Sequence, residues 1–199
     1  MPRPLIALDA DGVLLDFHLA YAEAWRRAFG ARPQERDAQA YWPIDRGQVE
    51  RLEGERLAHF RAHFDAGFWA SVPAIEGAVP ACKRLADAGF ELVCVSALEA
   101  HFEAARLSNL QALGFPIERV IATGNAAGER SPKAQAVAAL CPVAFVDDYL
   151  PYLRGMPAEV HTALVLREPN GSPNTGPELT LARSSHPDLA DFATAWLAA

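Results

Sequence analysis

At 199 residues, 51% of them hydrophobic and 22% charged, the chain has enough apolar mass for one domain, or for a core domain carrying a smaller insertion. The formal net charge of -7 argues against a broad phosphate-neutralising surface, so nucleic acid is not an expected partner, while a locally cationic pocket is still compatible with it. No apolar run has membrane-spanning length and the segment before Asp9 is too short for a signal peptide, so no membrane association and a cytoplasmic location are expected.

Leu5-Ile6-Ala7-Leu8 is a short, continuous apolar run, the pattern of a strand covered on both faces. It ends in Asp9-Ala10-Asp11-Gly12. Next, Phe17, Tyr21, Trp25 and Phe29 recur every four residues, which predicts a helix that stops near Gly30. Residues 31–46 read as a connection, and Val49, Leu52, Leu57, Phe60 and Phe64 predict a second helix. From residue 76 the character changes. A helix around Val79–Ala86 stops at Gly89, a strand over Phe90–Val95 ends at Ser96, and a helix over His101–Leu113 halts at Gly114. A strand over Arg119–Ala122, a helix over Pro132–Leu140 and a strand over Val143–Val146 ending at Asp147 follow. His161–Leu166 is a fifth strand and Pro187–Leu197 a closing helix. Residues 169–177 form a turn-rich loop expected to be mobile. Cys82, Cys94 and Cys141 are far apart and form no C-x-x-C pair, so reduced thiols are expected.

This alternation predicts an α/β fold: a Rossmann-like, doubly wound parallel sheet of about five strands, in the order 3-2-1-4-5, with helices on both faces. Residues 17–75 interrupt it as a small helical cap inserted after the first strand, leaving 1–16 and 76–199 as the core.

Ligands of such sheets bind beyond the carboxyl ends of the strands. Asp9 and Asp11 follow the first strand, Ser96 the second, and Asp147 and Asp148 the fourth, while Lys133 begins the helix before that fourth strand. Alone, each has a bland reading: a turn, a helix N-cap, a solvated lysine. Together they place carboxylates, a hydroxyl and an ammonium at one sheet edge. Converging carboxylates repel unless a cation sits among them, and Mg²⁺ suits an all-oxygen site that also receives phosphate oxygens. A phosphoryl group would be stabilised there by Lys133, the Ser96 hydroxyl and backbone N–H groups turned inward at Gly12.

These segments resemble the haloacid dehalogenase-like superfamily of phosphatases along essentially the whole chain. Leu8-Asp9-Ala10-Asp11-Gly12-Val13-Leu14 resembles the first motif, Val95-Ser96 the second, Ser131-Pro132-Lys133 the third and Val146-Asp147-Asp148 the fourth. The lack of a Gly before Asp147-Asp148, with Asp16-Phe17 after the first motif, is similar to the deoxyribonucleotidase-like branch. The resemblance implies Asp9 as nucleophile, Asp11 as general acid and base, and Ser96 and Lys133 as further catalytic groups. It implies phosphoryl binding by Asp11, Gly12, Ser96, Ala97 and Lys133. The Mg²⁺ set would be Asp9, Asp147, the Asp11 backbone carbonyl and the nearby Asp148. Arg130 is a rival to Lys133, because only 14 residues separate Lys133 from Asp147 (147 − 133).

The implied activity is hydrolysis of a small phosphorylated metabolite through an aspartyl-phosphate, by a monomer or homodimer. The alternatives are a phosphomutase and a non-catalytic phosphate-binding or regulatory protein. Dehalogenases lack the acid that Asp11 supplies. A phosphonate hydrolase would need a cap lysine, and 17–75 contains none. Tyr21, Trp25, Tyr41, Trp42, His63 and Trp69 are candidates for leaving-group contacts, with Tyr21 and Trp25 favoured as cap core.

Overall fold

The computed structural model describes residues 3–126 and 128–199. Its centre is a six-stranded parallel sheet of order β3-β2-β1-β4-β5-β6. The strands are β1 (Leu5–Leu8), β2 (Glu91–Ser96), β3 (Val120–Ala122), β4 (Ala144–Asp147), β5 (His161–Val165) and β6 (Ser184–His186). The first five have the predicted order. The sixth was not predicted: Ser184-Ser185-His186 is a short polar edge strand without an apolar run to announce it.

Strand pleating explains the layers. Ile6, Leu8 and Cys94 face one side, where they meet the helices α5 (Ala78–Asp87), α6 (Glu103–Ala112) and α8 (Leu189–Ala198). Ala7, Val93 and Val95 face the other, against α7 (Ala134–Leu140) and a 3₁₀ turn at Leu150–Leu153. Both faces are covered, which is why these strands read as continuous apolar runs rather than alternating ones. All three cysteines are free thiols, with Cys82 and Cys94 buried.

Between β1 and α5 the chain builds four helices: α1 (Phe17–Phe29), α2 (Pro43–Arg46), α3 (Gly54–Arg61) and α4 (Ala66–Trp69). Asp16 caps α1 by accepting from the Leu19 N–H, and left-handed Gly30 ends it, as predicted. The predicted second helix is divided. Val49 and Leu52 precede α3, and Phe64 lies in the turn before α4, whose N-terminus is capped by Asp65. Phe64 keeps its apolar role all the same, at 4.6 Å from the Phe68 ring and 5.1 Å from Phe60.

Two fastenings hold this helical segment. At its root, Asp16 N–H donates to the Pro73 carbonyl (2.8 Å) and Ile75 N–H to the Leu14 carbonyl (2.9 Å), so the entering and leaving chains pair antiparallel. At residues 39–41, Tyr41 N–H donates to the Asn170 carbonyl (2.9 Å) and Asn170 N–H to the Gln39 carbonyl (3.0 Å). The 169–177 loop is therefore tied down, contrary to the expectation of mobility. Its Asn174 is buried and bonds the acidic loop after β4 at two points.

Candidate active site

β1 and β4 are neighbours, so their C-terminal carboxylates emerge side by side, and the Asp9 N–H donates to the Val146 carbonyl (2.9 Å). Lys133, at the N-cap of α7, reaches between them. Its Nζ lies 2.6 Å from Asp9 Oδ1 and 2.6 Å from Asp147 Oδ2, and it is fully buried. The two carboxylates raise the Lys133 pKa further, against its burial. Arg130 lies elsewhere, donating to the Gly155 carbonyl on the surface.

Asp148 completes an acidic group: Asp9, Asp147 and Asp148 each offer a carboxylate oxygen within 4.8 Å of the others. One lysine, with Arg167 acting on Asp148 as well, does not neutralise two buried carboxylates and a half-buried third. Burial, opposed by Lys133 and aided by Asp9, pushes Asp147 up to about 7, and burial with the neighbouring carboxylates raises Asp148 well above its ordinary range. This surplus of buried, hard oxygen donors with no His or Cys among them fits a divalent ion such as Mg²⁺. Gly12 lets the acidic loop approach: its φ is +93°, and a Cβ there would stand 2.1 Å from Asp148 Oδ2.

The charge surplus has a measurable consequence. Between the ordinary carboxylate pKa of 3.8 and about 7, folded Asp147 binds more protons than unfolded Asp147. Metal-free protein should accordingly lose stability as pH rises from about 5 to 7. Thermal unfolding in EDTA across that range, repeated with millimolar Mg²⁺, should show a falling melting temperature that the ion flattens. A melting temperature that rises across the range in EDTA would contradict this electrostatic picture.

Ser96, buried at the end of β2, and Ala97 line the same cavity as Asp9, Asp11 and Gly12. That cavity measures about 460 Å³. Its remaining walls come largely from aromatics: Phe17, Tyr41, Trp42, Trp69, Tyr149 and Tyr152. Of the six candidates named from sequence, Tyr41, Trp42 and Trp69 line it. Trp25 is buried in the core, Tyr21 packs at 5.1 Å on Phe60, and His63 packs on His59, so none of these three lines it.

Asp11 faces a partner that the sequence reading missed. Arg106 on α6 is fully buried, and its Nη2 lies 2.9 and 2.8 Å from the two Asp11 carboxylate oxygens. Burial raises the Asp11 pKa, and Arg106 opposes that rise. The Asp11 side chain is turned to Arg106 and lies outside the three-carboxylate group. The available signal was positional. Phe102, Arg106 and Leu110 are four apart, so Arg106 interrupts an otherwise apolar helical stripe.

The family model described as "5' nucleotidase, deoxy (Pyrimidine), cytosolic type C protein" matches residues 3–113, more than half of the chain. The chain belongs to this family. It is thereby a member of the haloacid dehalogenase-like superfamily. The matched region holds Asp9, Asp11, Ser96 and Arg106, while Lys133, Asp147 and Asp148 follow it.

A Bordetella pertussis protein named "Putative 5'(3')-deoxyribonucleotidase" is 33% identical over 103 residues, 47% of this chain and 50% of that protein. Its Bordetella bronchiseptica counterpart, of the same name, is 32% identical over the same shares. The chain thus spans about half the length of the curated relatives it matches. Among solved structures, a Deinococcus radiodurans R1 haloacid dehalogenase family hydrolase, crystallised with phosphate and sodium, shares the fold. Its TM-score is 0.65 at 18% identity, over 99% of this chain and 96% of that one. A haloacid dehalogenase-like hydrolase from Streptococcus pneumoniae gives 0.63 at 12%, over 98% of each chain. Among the described residues no helix is long and apolar enough to cross a membrane.

Proposed function

We propose that this chain is a Mg²⁺-dependent phosphomonoester hydrolase acting on a small phosphorylated metabolite of the deoxynucleotide class. The observation that carries the reading is the buried Lys133 bridge between Asp147 and Asp9, the latter lining a cavity together with Asp11 and Ser96. A nucleophilic carboxylate, a separate acid held by its own arginine and a hydroxyl for phosphoryl oxygens are what two-step phosphoryl hydrolysis needs. The name of the matched family and those of the Bordetella proteins support the deoxynucleotide class, and the largely aromatic walls suit a flat base.

Asp9 attacks phosphorus, forming an aspartyl-phosphate as the bond to the leaving oxygen breaks. Asp11 gives that oxygen its proton. In the second step Asp11 takes a proton from water, the water oxygen bonds to phosphorus, and Asp9 departs as carboxylate. Lys133 holds Asp9 in place and offsets charge on the transferring group, while the Ser96 hydroxyl donates to one of its oxygens. Mg²⁺, held by Asp9, Asp147, the Asp11 carbonyl and Asp148, would supply electrostatic stabilisation of the phosphoryl oxygens. The helical segment 17–75 serves as a cap over these groups and presents Tyr41, Trp42 and Trp69 to the leaving group.

A panel of phosphorylated metabolites tests the reading, with deoxynucleoside monophosphates set beside ribonucleotides and sugar phosphates. Release of phosphate should require Mg²⁺ and favour deoxynucleotides. Transfer to a second sugar phosphate instead of water would mark a mutase. A rise in melting temperature with phosphate and no turnover across the panel would mark a binding protein. Full turnover in EDTA would refute the metal dependence.

A further inference from the structure

Arg106 is an unusual residue to find sealed in this fold. Its side chain has no exposed surface, yet only one of its three nitrogens is paired. Nε and Nη1 are buried and find no partner in the protein. The face of the Trp69 ring, 5.0 Å from the guanidinium carbon, gives the charge its other favourable contact. A buried arginine that served only to hold helices together would be expected to spend its fork on several acceptors, since unpaired N–H groups in the interior cost stability. This one delivers a single nitrogen to both oxygens of one carboxylate. That carboxylate is Asp11, about a quarter exposed and part of the cavity wall.

We infer that Arg106 is a positioning residue for Asp11, fixing its carboxylate against the cavity at the expense of unpaired N–H groups in the interior. The inference rests on the reading of Asp11 as acid and base. Arg106 touches no reacting atom; it acts by removing the rotamer freedom that Asp11 would otherwise have beside a solvated cavity. The neighbouring Asn109, one turn along α6, donates to the Val72 carbonyl (2.9 Å) and fixes α6 against the chain leaving α4. Trp69 thus frames the guanidinium from the helical segment, and Asp11 frames it from the loop after β1. The placement matters because proton transfer tolerates little displacement: a misplacement of about 1 Å can cost about 100-fold in rate.

The test compares Arg106→Met and Arg106→Lys with wild type in the full chain, using p-nitrophenyl phosphate with Mg²⁺ and thermal unfolding without substrate. Arg106→Met should melt no more than about 3 °C below wild type, because Met fills the apolar surroundings and Asp11 can turn to solvent. Its kcat should fall about 100-fold with KM within about threefold of wild type. Arg106→Lys, which keeps the charge without the planar fork, should recover part of kcat. A kcat within threefold of wild type in Arg106→Met would overturn the inference. So would loss of folding, or a large fall in melting temperature shared by both variants with kcat and KM changing together. Absence of turnover in wild type itself would instead sink the phosphatase reading, so the two failures are distinguishable.

Discussion

Asp9→Asn should yield a folded protein whose turnover of p-nitrophenyl phosphate is about 10⁴-fold or more below wild type, the scale on which loss of a covalent nucleophile is felt. The exchange keeps the side chain's volume in a site where Asp9 is only 6% exposed, so packing is preserved. Lys133 keeps Asp147 at 2.6 Å as a charged partner, and one of three mutually repelling carboxylates becomes neutral. The melting temperature in EDTA should therefore hold or rise while chemistry is lost. Stability and activity parting in this way would separate a reacting group from a structural one. Turnover within tenfold of wild type would remove Asp9 from the mechanism and, with it, the proposed reaction.

Lys133→Met should produce the largest stability effect of any single change at the site. Lys133 Nζ is the only amine or guanidinium among the described residues that lies within 4 Å of Asp9 or Asp147. Without it two buried carboxylates face each other, and breaking a buried pair in this way costs about 3–5 kcal/mol. The loss should be greatest in EDTA near pH 8 and should shrink at lower pH, as the carboxylates take up protons. Millimolar Mg²⁺ should restore part of it. Turnover should not return with the ion, since Lys133 also serves the transferring group in the proposed mechanism. An unchanged melting temperature in EDTA would show that Lys133 does not offset the carboxylates.

The parts of the fold that were legible in the sequence are those where one physical demand dominates. β1, β2, β4 and β5 are buried on both faces, and their unbroken apolar runs announce it. β6 carries Ser184, Ser185 and His186 at the sheet edge, where neither burial nor alternation is imposed, and so gave no signal. In the helical segment the apolar spacing is real, but it is satisfied by side chains converging from two helices and a turn. Phe60, Phe64 and Phe68 meet in space without sharing one helix.

Site residues divide the same way. Asp9, Ser96 and Asp147 end strands, and Lys133 starts a helix, so element boundaries pointed to them. Arg106 and Asn174 do not sit at such boundaries. Arg106 lies mid-helix, where a buried arginine and a solvated one look alike except for the stripe it interrupts. Asn174 lies among turn residues, and its bonds to the Asp148 carbonyl (2.7 Å) and from the Leu150 N–H (2.8 Å) depend on a contact across 24 to 26 residues. Long-range hydrogen bonding of this kind leaves no local periodicity to read.

The two fastenings of the helical segment have a mechanical meaning. Together with the Asn109 bond to the Val72 carbonyl, they hold the segment at three places along its length. One is the ladder at Leu14–Asp16 and Pro73–Ile75, and another is Gln39–Tyr41 on Asn170. Tyr41 and Trp42 stand next to the second of these, and Trp69 stands three residues before Val72. The aromatic wall of the cavity is thus laid between anchored stretches of backbone, as a keystone sits between its abutments. On the proposed function, selectivity would be a matter of fit to that wall.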